Sequence, residues 1–183
     1  MKNIFILAVL MVFTGIASAA MAGDSPSKNG RFVGGVGLGG AIPVDGFGSA
    51  YSAGGGVDGN LGFQLDENWA LLLEIDSYIF QTNLSGVYAA EVNLLPSVKW
   101  ALGTSSTKFY LLAGLGENVN QLYIKSGSET VTLSEKNFAI GPGLGIQFPL
   151  NDALDLYLQA KFIDVFAASS FSYIPLAVGL DFM

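Results

Sequence analysis

The final segment of the chain alternates strictly between apolar and other side chains. Every second residue is apolar from position 174 onward: Ile174, Leu176, Val178, Leu180 and Phe182. Successive side chains of a β-strand point to opposite faces, so this pattern predicts a strand with one wholly apolar face. A water-soluble domain seldom exposes such a face, whereas a strand of a transmembrane barrel presents it to lipid. The segment therefore favours a membrane barrel.

The first residues have the pattern of a secretory signal peptide. Lys2 precedes an apolar run over residues 4–13, and two Ala-x-Ala sequences follow at 17–19 and 20–22. A membrane anchor is the alternative, but the run is shorter than the ~20 apolar residues of a helix that spans a bilayer. We therefore predict a signal peptide over residues 1–22, cleaved after Ala19 or Ala22, and one barrel domain over residues 23–183.

Composition excludes several classes of activity. The chain has no Cys and no His, which removes disulfides, thiol nucleophiles, thiolate metal sites and the commonest general base. A formal net charge of −7 argues against nucleic acid as a partner. The run Gly35-x-Gly37-x-x-Gly40 matches a dinucleotide fingerprint by letter, but no helix pattern follows it. We predict neither a cofactor nor a metal site.

Turn signals divide the rest of the chain into eight segments of strand length. Three polar turns are tight, at residues 65–68, 103–107 and 149–153. Four connections alternate with them, at residues 43–51, 82–86, 122–136 and 166–170. Only residues 122–136 are long enough to extend a strand pair outward. The predicted strands are Arg31–Ile42, Ser52–Gln64, Trp69–Gln81, Val87–Ala101, Lys108–Gln121, Asn137–Phe148, Leu154–Val165 and Phe171–Phe182.

Aromatic residues gather beside the three tight turns. They are Trp69, Trp100, Phe109, Phe148 and Phe182. Aromatic rings concentrate where a barrel crosses the membrane–water interface, so these positions predict a girdle. The layout resembles the small OmpA/OmpX-type outer-membrane barrels over essentially the whole chain after residue 22. We predict an all-β protein with a single closed, antiparallel, eight-stranded transmembrane β-barrel.

The resemblance implies a location and a set of partners. It places the chain in the bacterial outer membrane as a monomer in contact with lipid, with the tight turns and both termini in the periplasm. It also implies periplasmic chaperones and the barrel assembly machinery as partners. The final strand resembles the one that this machinery reads, which makes Phe182 the implied insertion signal although Met183 follows it.

The strand parity opposite to the apolar one collects the polar residues, which a narrow barrel would enclose. The charged members are Arg31, Asp58, Glu74, Asp76, Glu91, Lys99, Asp155, Lys161 and Asp181. We predict that they fill the lumen as a hydrogen-bonded, charge-paired network. Glycines of the same parity, such as Gly37 and Gly143, either make room for facing aromatic side chains or line a cavity, and close packing favours the first interpretation.

Three prolines depart from an ideal barrel strand. Pro96, Pro142 and Pro175 lie inside predicted strands, where proline favours a β-bulge. Paired carboxylates such as Glu74 and Asp76 are the remaining candidates for acid–base catalysis, but on a lumen face we interpret them as structural and predict no enzyme. Two function classes stay open: a structural or interaction barrel, and a narrow channel or binding barrel for a small solute or a hydrophobic molecule.

Overall fold

The described part of the chain forms one antiparallel sheet and one short helix. The computed structural model describes residues 31–82, 84–103, 107–126 and 129–182, so the predicted signal peptide and Met183 lie outside the described residues. No helix in these ranges is long and apolar enough to cross a membrane. The elements are β1 (Arg31–Val44), α1 (Asp45–Ala50), β2 (Gly54–Gln64), β3 (Trp69–Gln81), β4 (Val87–Leu102), β5 (Lys108–Ser126), β6 (Glu129–Asn151), β7 (Leu154–Lys161), β8 (Ile163–Phe166) and β9 (Phe171–Phe182).

The sheet closes because its first and last strands pair. β1 pairs antiparallel with β2 on one side and with β9 on the other, where the register runs from Gly34 opposite Phe182 to Val44 opposite Ser172. The remaining strands pair with their neighbours around the ring, and β7 and β8 together occupy the place of the seventh strand. The prediction of a closed eight-stranded barrel is therefore confirmed.

A proline causes the break between β7 and β8. The backbone N–H of Phe162, the residue between the two segments, donates to the carbonyl oxygen of Pro142 on β6 at 2.8 Å. Proline has no N–H, so Pro142 cannot return the second bond of this antiparallel pair. The wall loses one hydrogen bond at this point, but the chain keeps its direction.

The prediction of β-bulges is wrong at three positions: Pro96, Pro142 and Pro175. A bulge adds a residue to one strand and shifts the register beyond it. Between β4 and β5, however, Leu94 lies opposite Glu117 and Ser97 lies opposite Gly114, so the register is the same on both sides of the proline. It is likewise unchanged on both sides of the other two. A proline removes a donor without adding a residue, and the barrel tolerates the local gap.

Side chains alternate between the lumen and the outer surface as the sequence predicts. On β3, Leu71 and Ile79 are 48% and 53% exposed, whereas Asp76 and Tyr78 on the opposite parity are fully buried. The same alternation on the other strands produces a continuous apolar outer surface. The surface of a barrel that contacts lipid must be apolar, so the exposed leucine and isoleucine side chains fit a transmembrane barrel.

Two levels of paired aromatic rings bound this surface. Trp69 and Trp100 stack at 5.5 Å next to the tight turns, and Tyr88 and Tyr123 stack at 4.7 Å near the other end. The stretch of β4 between Tyr88 and Trp100 is about 40 Å long at ~3.3 Å per residue. A strand tilt of ~40° reduces this length to a height of about 30 Å, which matches the hydrocarbon core of a bilayer.

Candidate functional site

A buried ion-pair cluster lies in the middle of the lumen. Lys161 on β7 reaches across to β3, where its Nζ lies 2.6 and 2.7 Å from the carboxylate oxygens of Asp76 and 3.1 Å from Oε1 of Glu74. The hydroxyl of Ser97 donates to the other oxygen of Glu74 at 2.6 Å. All four side chains are buried. The ammonium lies between two carboxylates whose burial would be strongly unfavourable without it.

A tyrosine crosses the lumen beside this cluster. The hydroxyl of Tyr157 on β7 donates to Oδ2 of Asp58 on β2 at 2.5 Å. A Cβ atom added to Gly37 or to Gly179 would overlap this hydroxyl. These two glycines are therefore needed because a facing ring fills their space, which supports accommodation over a cavity at both positions.

A second ion pair lies towards the tight turns. Lys99 contacts Asp181 at 2.9 Å, and the amide of Gln147 donates to Asp155 at 2.8 Å and to Asp181 at 3.2 Å. Below this cluster the lumen widens into an open cavity of about 500 Å³. Arg31 lines this cavity, and the ion pairs among the described residues do not include it.

A third polar cluster lies in the other half of the lumen and is built from amides. Glu91 is fully buried and accepts hydrogen bonds from Asn118 at 2.9 Å and Asn120 at 2.6 Å. Asn118 also donates to Asn93, which in turn donates to the hydroxyl of Tyr173 at 2.7 Å. The carboxylate is held by neutral donors rather than by a cation.

An aromatic plug closes the lumen above the amide cluster. Helix α1, within the connection between β1 and β2, directs Phe47 into the mouth of the barrel, where it is only 7% exposed. Its ring lies 4.7 Å from that of Phe171 and 5.1 Å from that of Phe80. Leu95 and Ile163 continue the same apolar cluster down to the middle of the lumen. This half of the barrel is packed like a protein core.

The structure places Glu74, Asp76 and Lys161 in one cluster, Lys99, Asp155 and Asp181 in a second and Glu91 in a third, while Asp58 bonds to Tyr157. All of the predicted lumen residues except Arg31 make hydrogen bonds inside the described barrel. Sequence reasoning missed the contributions of Ser97 and Gln147, although both have the lumen parity. It also missed Phe47, because nothing in the pattern around residue 47 indicates a turn into the barrel. Among the described residues, no group of three or more acidic side chains is arranged to hold a metal ion.

A hairpin extends beyond the barrel wall at the end opposite the tight turns. β5 and β6 pair as far as Ser126 opposite Glu129, which confirms that residues 122–136 continue a strand pair. On its other side β6 pairs with β8 only over Phe138–Ile140. Residues 129–137 therefore have no strand partner on this side within the described ranges and are an open strand edge, in which Val131 and Leu133 are 51% and 54% exposed.

Solved structures of other proteins share this architecture. No protein-family model and no curated protein matches the chain. Neisserial surface protein A has a TM-score of 0.61 at 17% identity, and the alignment covers 82% of this chain and 96% of that one. Ail, the attachment invasion locus protein of Yersinia pestis, has a TM-score of 0.59 at 12% identity, and the alignment covers 84% of this chain and 98% of that one. The outer-membrane protein OprG of Pseudomonas aeruginosa has a TM-score of 0.58 at 13% identity, and the alignment covers 85% of this chain and 96% of that one.

The chain has the fold of the small outer-membrane β-barrels. In an outer-membrane barrel the tight turns are periplasmic and the longer loops are extracellular. In that orientation the cavity beside Arg31 would open to the periplasmic side, and the Phe47 plug and the β5–β6 hairpin would lie on the extracellular side. Phe182 lies at the end of the barrel that carries the tight turns, between Gly34 of β1 and Leu154 of β7, and is partly exposed.

Proposed function

We propose that this protein is a structural and interaction barrel of the bacterial outer membrane. It anchors through its apolar outer surface and displays the β5–β6 hairpin outside the cell. The observation that carries this proposal is the open edge at residues 129–137, of which residues 129–131 extend beyond the outer aromatic level, where Tyr123 pairs with Thr132. Unpaired backbone groups along a strand edge bind another extended chain by adding it to the sheet.

The packed lumen supports this function over that of a conduit. The Phe47 plug fills the extracellular half, and the Lys161 cluster fills the middle. An eight-stranded barrel has little room beyond its own side chains. Burial of the two clusters stiffens the wall that carries the hairpin, since each side chain that crosses the lumen ties two opposite strands together.

The side chains of the hairpin define the segment that it would bind. Val131 and Leu133 share one face with Leu122 and Ile124, their direct neighbours on β5. A partner strand added to β6 would extend this face, so its apolar residues should fall at every second position. We therefore expect a partner segment with alternating apolar residues and no proline along the pairing edge.

Peptide display against the detergent-solubilised barrel tests the proposal. In the test variant an Asn-Gly turn replaces residues 122–133, which joins Gln121 to its present partner Ser134 through a tight hairpin. In a matched control, Gly and Ser replace residues 167–170, the extracellular turn between β8 and β9. Enriched peptides with alternating apolar residues should bind the wild type and the control but not the test variant. Equal binding to all three proteins would contradict the proposal.

Export and assembly follow from the same proposal. We expect removal of residues 1–22 during export, passage with periplasmic chaperones, and insertion by the barrel assembly machinery through the strand that ends at Phe182. We expect a monomer without catalytic activity, in which the lumen carboxylates serve as hydrogen-bond acceptors. Mass spectrometry of the mature protein would locate the cleavage site, either after Ala19 or after Ala22.

The periplasmic cavity favours a second candidate function. Its volume of about 500 Å³ suits a small polar solute, and Arg31, Lys99 and several carboxylates line it. In planar bilayers we expect no stable channel steps, because the lumen above the cavity is filled. Regular conductance steps would instead favour the narrow channel, and saturable solute binding without conductance would favour the binding barrel.

A further inference from the structure

The Phe47 side chain occupies a pocket whose walls are aromatic. Its ring centre lies 4.3 Å from that of Tyr51, 4.7 Å from Phe171, 5.1 Å from Phe80 and 6.2 Å from Tyr173. The rings come from three parts of the chain: the end of the first extracellular connection, β3 and β9. Without Phe47, these four rings would surround an empty space at the mouth of the barrel.

The segment that delivers Phe47 is intrinsically weak. α1 has six residues, among them Gly46 and Gly48, and Val44 at its N-cap makes no side-chain capping bond. A helix this short and rich in glycine is unstable by itself. Burial of Phe47 therefore holds α1 in place, and we expect the segment to open at a much smaller free-energy cost than the barrel wall.

A carboxylate without a counter-ion lies below the pocket. Glu91 follows Ala89 by two residues on the same face of β4, and Ala89 pairs with Phe80 on β3. Its oxygens contact only amide nitrogens in the described barrel, and none of the ion pairs there includes it. Glu91 lies opposite Tyr78 in the register of β3 and β4, and the ring of Tyr78 packs edge-on against that of Tyr173, so the carboxyl group borders the pocket wall.

An unsatisfied acceptor accompanies this carboxylate. The side chain of Asn118 is fully buried, and its Oδ1 has no hydrogen-bond partner among the described residues. Buried polar atoms are nearly always paired, so an orphan acceptor marks a place where a donor or a positive charge would be favourable. The Glu91 carboxylate and the unpaired Asn118 oxygen would both be stabilised by a nearby positive charge. The aromatic rings above them would favour a ligand with an apolar surface.

We propose that the extracellular mouth is a cryptic binding site for an organic cation of the alkylated ammonium type, and that Phe47 is its internal occupant. Aromatic faces attract such cations through the ring quadrupole, and desolvation strengthens this attraction. A bound cation stabilises the ionised form of Glu91, which then supplies the complementary charge. A ligand of this class enters by displacing α1, which leaves the barrel wall unchanged.

Calorimetric titration of the full-length barrel in detergent tests the site. Choline is the probe, and 3,3-dimethyl-1-butanol is its uncharged isostere. The Phe47→Ala variant should bind choline about tenfold more tightly than the isostere, and more tightly than wild type does, because the pocket is empty. Adding Glu91→Gln should abolish the preference for the cation. Phe166→Ala, which truncates an exposed ring at the same end, should behave like wild type.

A spin-label experiment tests the same proposal in a protein that retains Phe47, so the result does not depend on refolding of Phe47→Ala. The chain has no cysteine, so a Ser49→Cys variant carries one nitroxide label on the exposed side of α1. Choline should increase the mobility of this label while the isostere should not, and Glu91→Gln should abolish the response. Equal affinity of Phe47→Ala for choline and the isostere, or an unchanged label spectrum in saturating choline, would overturn the proposal.

Discussion

The hydroxyl of Tyr157 on β7 occupies the space that a side chain on Gly37 of β1 would need. Only β9 separates their strands, where Gly179 lies opposite both residues, and the same hydroxyl donates to Asp58. Glycine is therefore required at position 37 because the Tyr157 side chain fills the space that a larger residue would need. This relationship gives the sharpest test of how the lumen is packed.

A Gly37→Ala substitution should destabilise the barrel by about 1–3 kcal/mol, since the new methyl group overlaps the Tyr157 hydroxyl and Asp58. The matched control is Gly55→Ala on β2, where an added Cβ would lie 4.0 Å from its nearest neighbour. Urea unfolding of both variants in lipid vesicles measures the difference. Equal stability of the two variants would show that position 37 borders a cavity.

A Lys161→Met substitution should cost about 3–5 kcal/mol, because it leaves Asp76 and Glu74 buried without a counter-ion. Lys136→Met provides the control. Its partner is Glu117, both side chains are exposed, and such surface pairs contribute at most about 1 kcal/mol. The same unfolding measurement compares them. A small effect at Lys161 would mean that the carboxylates are already neutral or hydrated.

Lysine at two adjacent positions of β7 tests which face meets lipid. Leu158→Lys should cost roughly 2–4 kcal/mol in a bilayer, since residue 158 lies on the apolar outer surface. Gln159→Lys should cost less, because residue 159 accepts a hydrogen bond from Tyr110 inside an acid-rich lumen. Equal penalties in vesicle-refolding titrations would refute the assignment of the two faces.

A Phe182→Asp substitution should impair assembly in cells, because the final strand would lose its aromatic residue at the periplasmic interface. Removal of Met183 should be neutral or beneficial. The measurement is the fraction of protein that shows heat-modifiable migration in outer-membrane fractions. Wild-type assembly of the Phe182→Asp variant would contradict the role of the last strand as an insertion signal.

Strands and their faces were predictable from the sequence, whereas local deviations were not. The alternation on β3 and β9 records directly which side chains meet lipid, so periodicity identifies the wall. The prolines show the limit of this reasoning. From the sequence alone, a proline that only removes a hydrogen-bond donor, as Pro142 does, looks the same as a proline that marks an inserted residue. Only the register of the neighbouring strands distinguishes them.

The contents of the lumen were harder to predict for a physical reason. Parity shows that Glu91 and Asp76 point inward, but it does not show which strand supplies their partners. Lys161 meets Asp76 across the barrel, whereas Glu91 meets amides on the neighbouring strand β5. The position of Phe47 depends on three rings from distant strands as well as on nearby Tyr51, so no local pattern around α1 is enough to predict it.

Pairing of β1 with β9 has a consequence for the order of folding. The seam joins the first described strand to the last, so the sheet has two open edges until β9 pairs with β1. Until then, the glycine-rich edge of β1 is an exposed template for pairing with other chains. Pairing of β9 with β1 thus converts an aggregation-prone ribbon into a closed ring, which makes closure of this seam the step that protects the barrel.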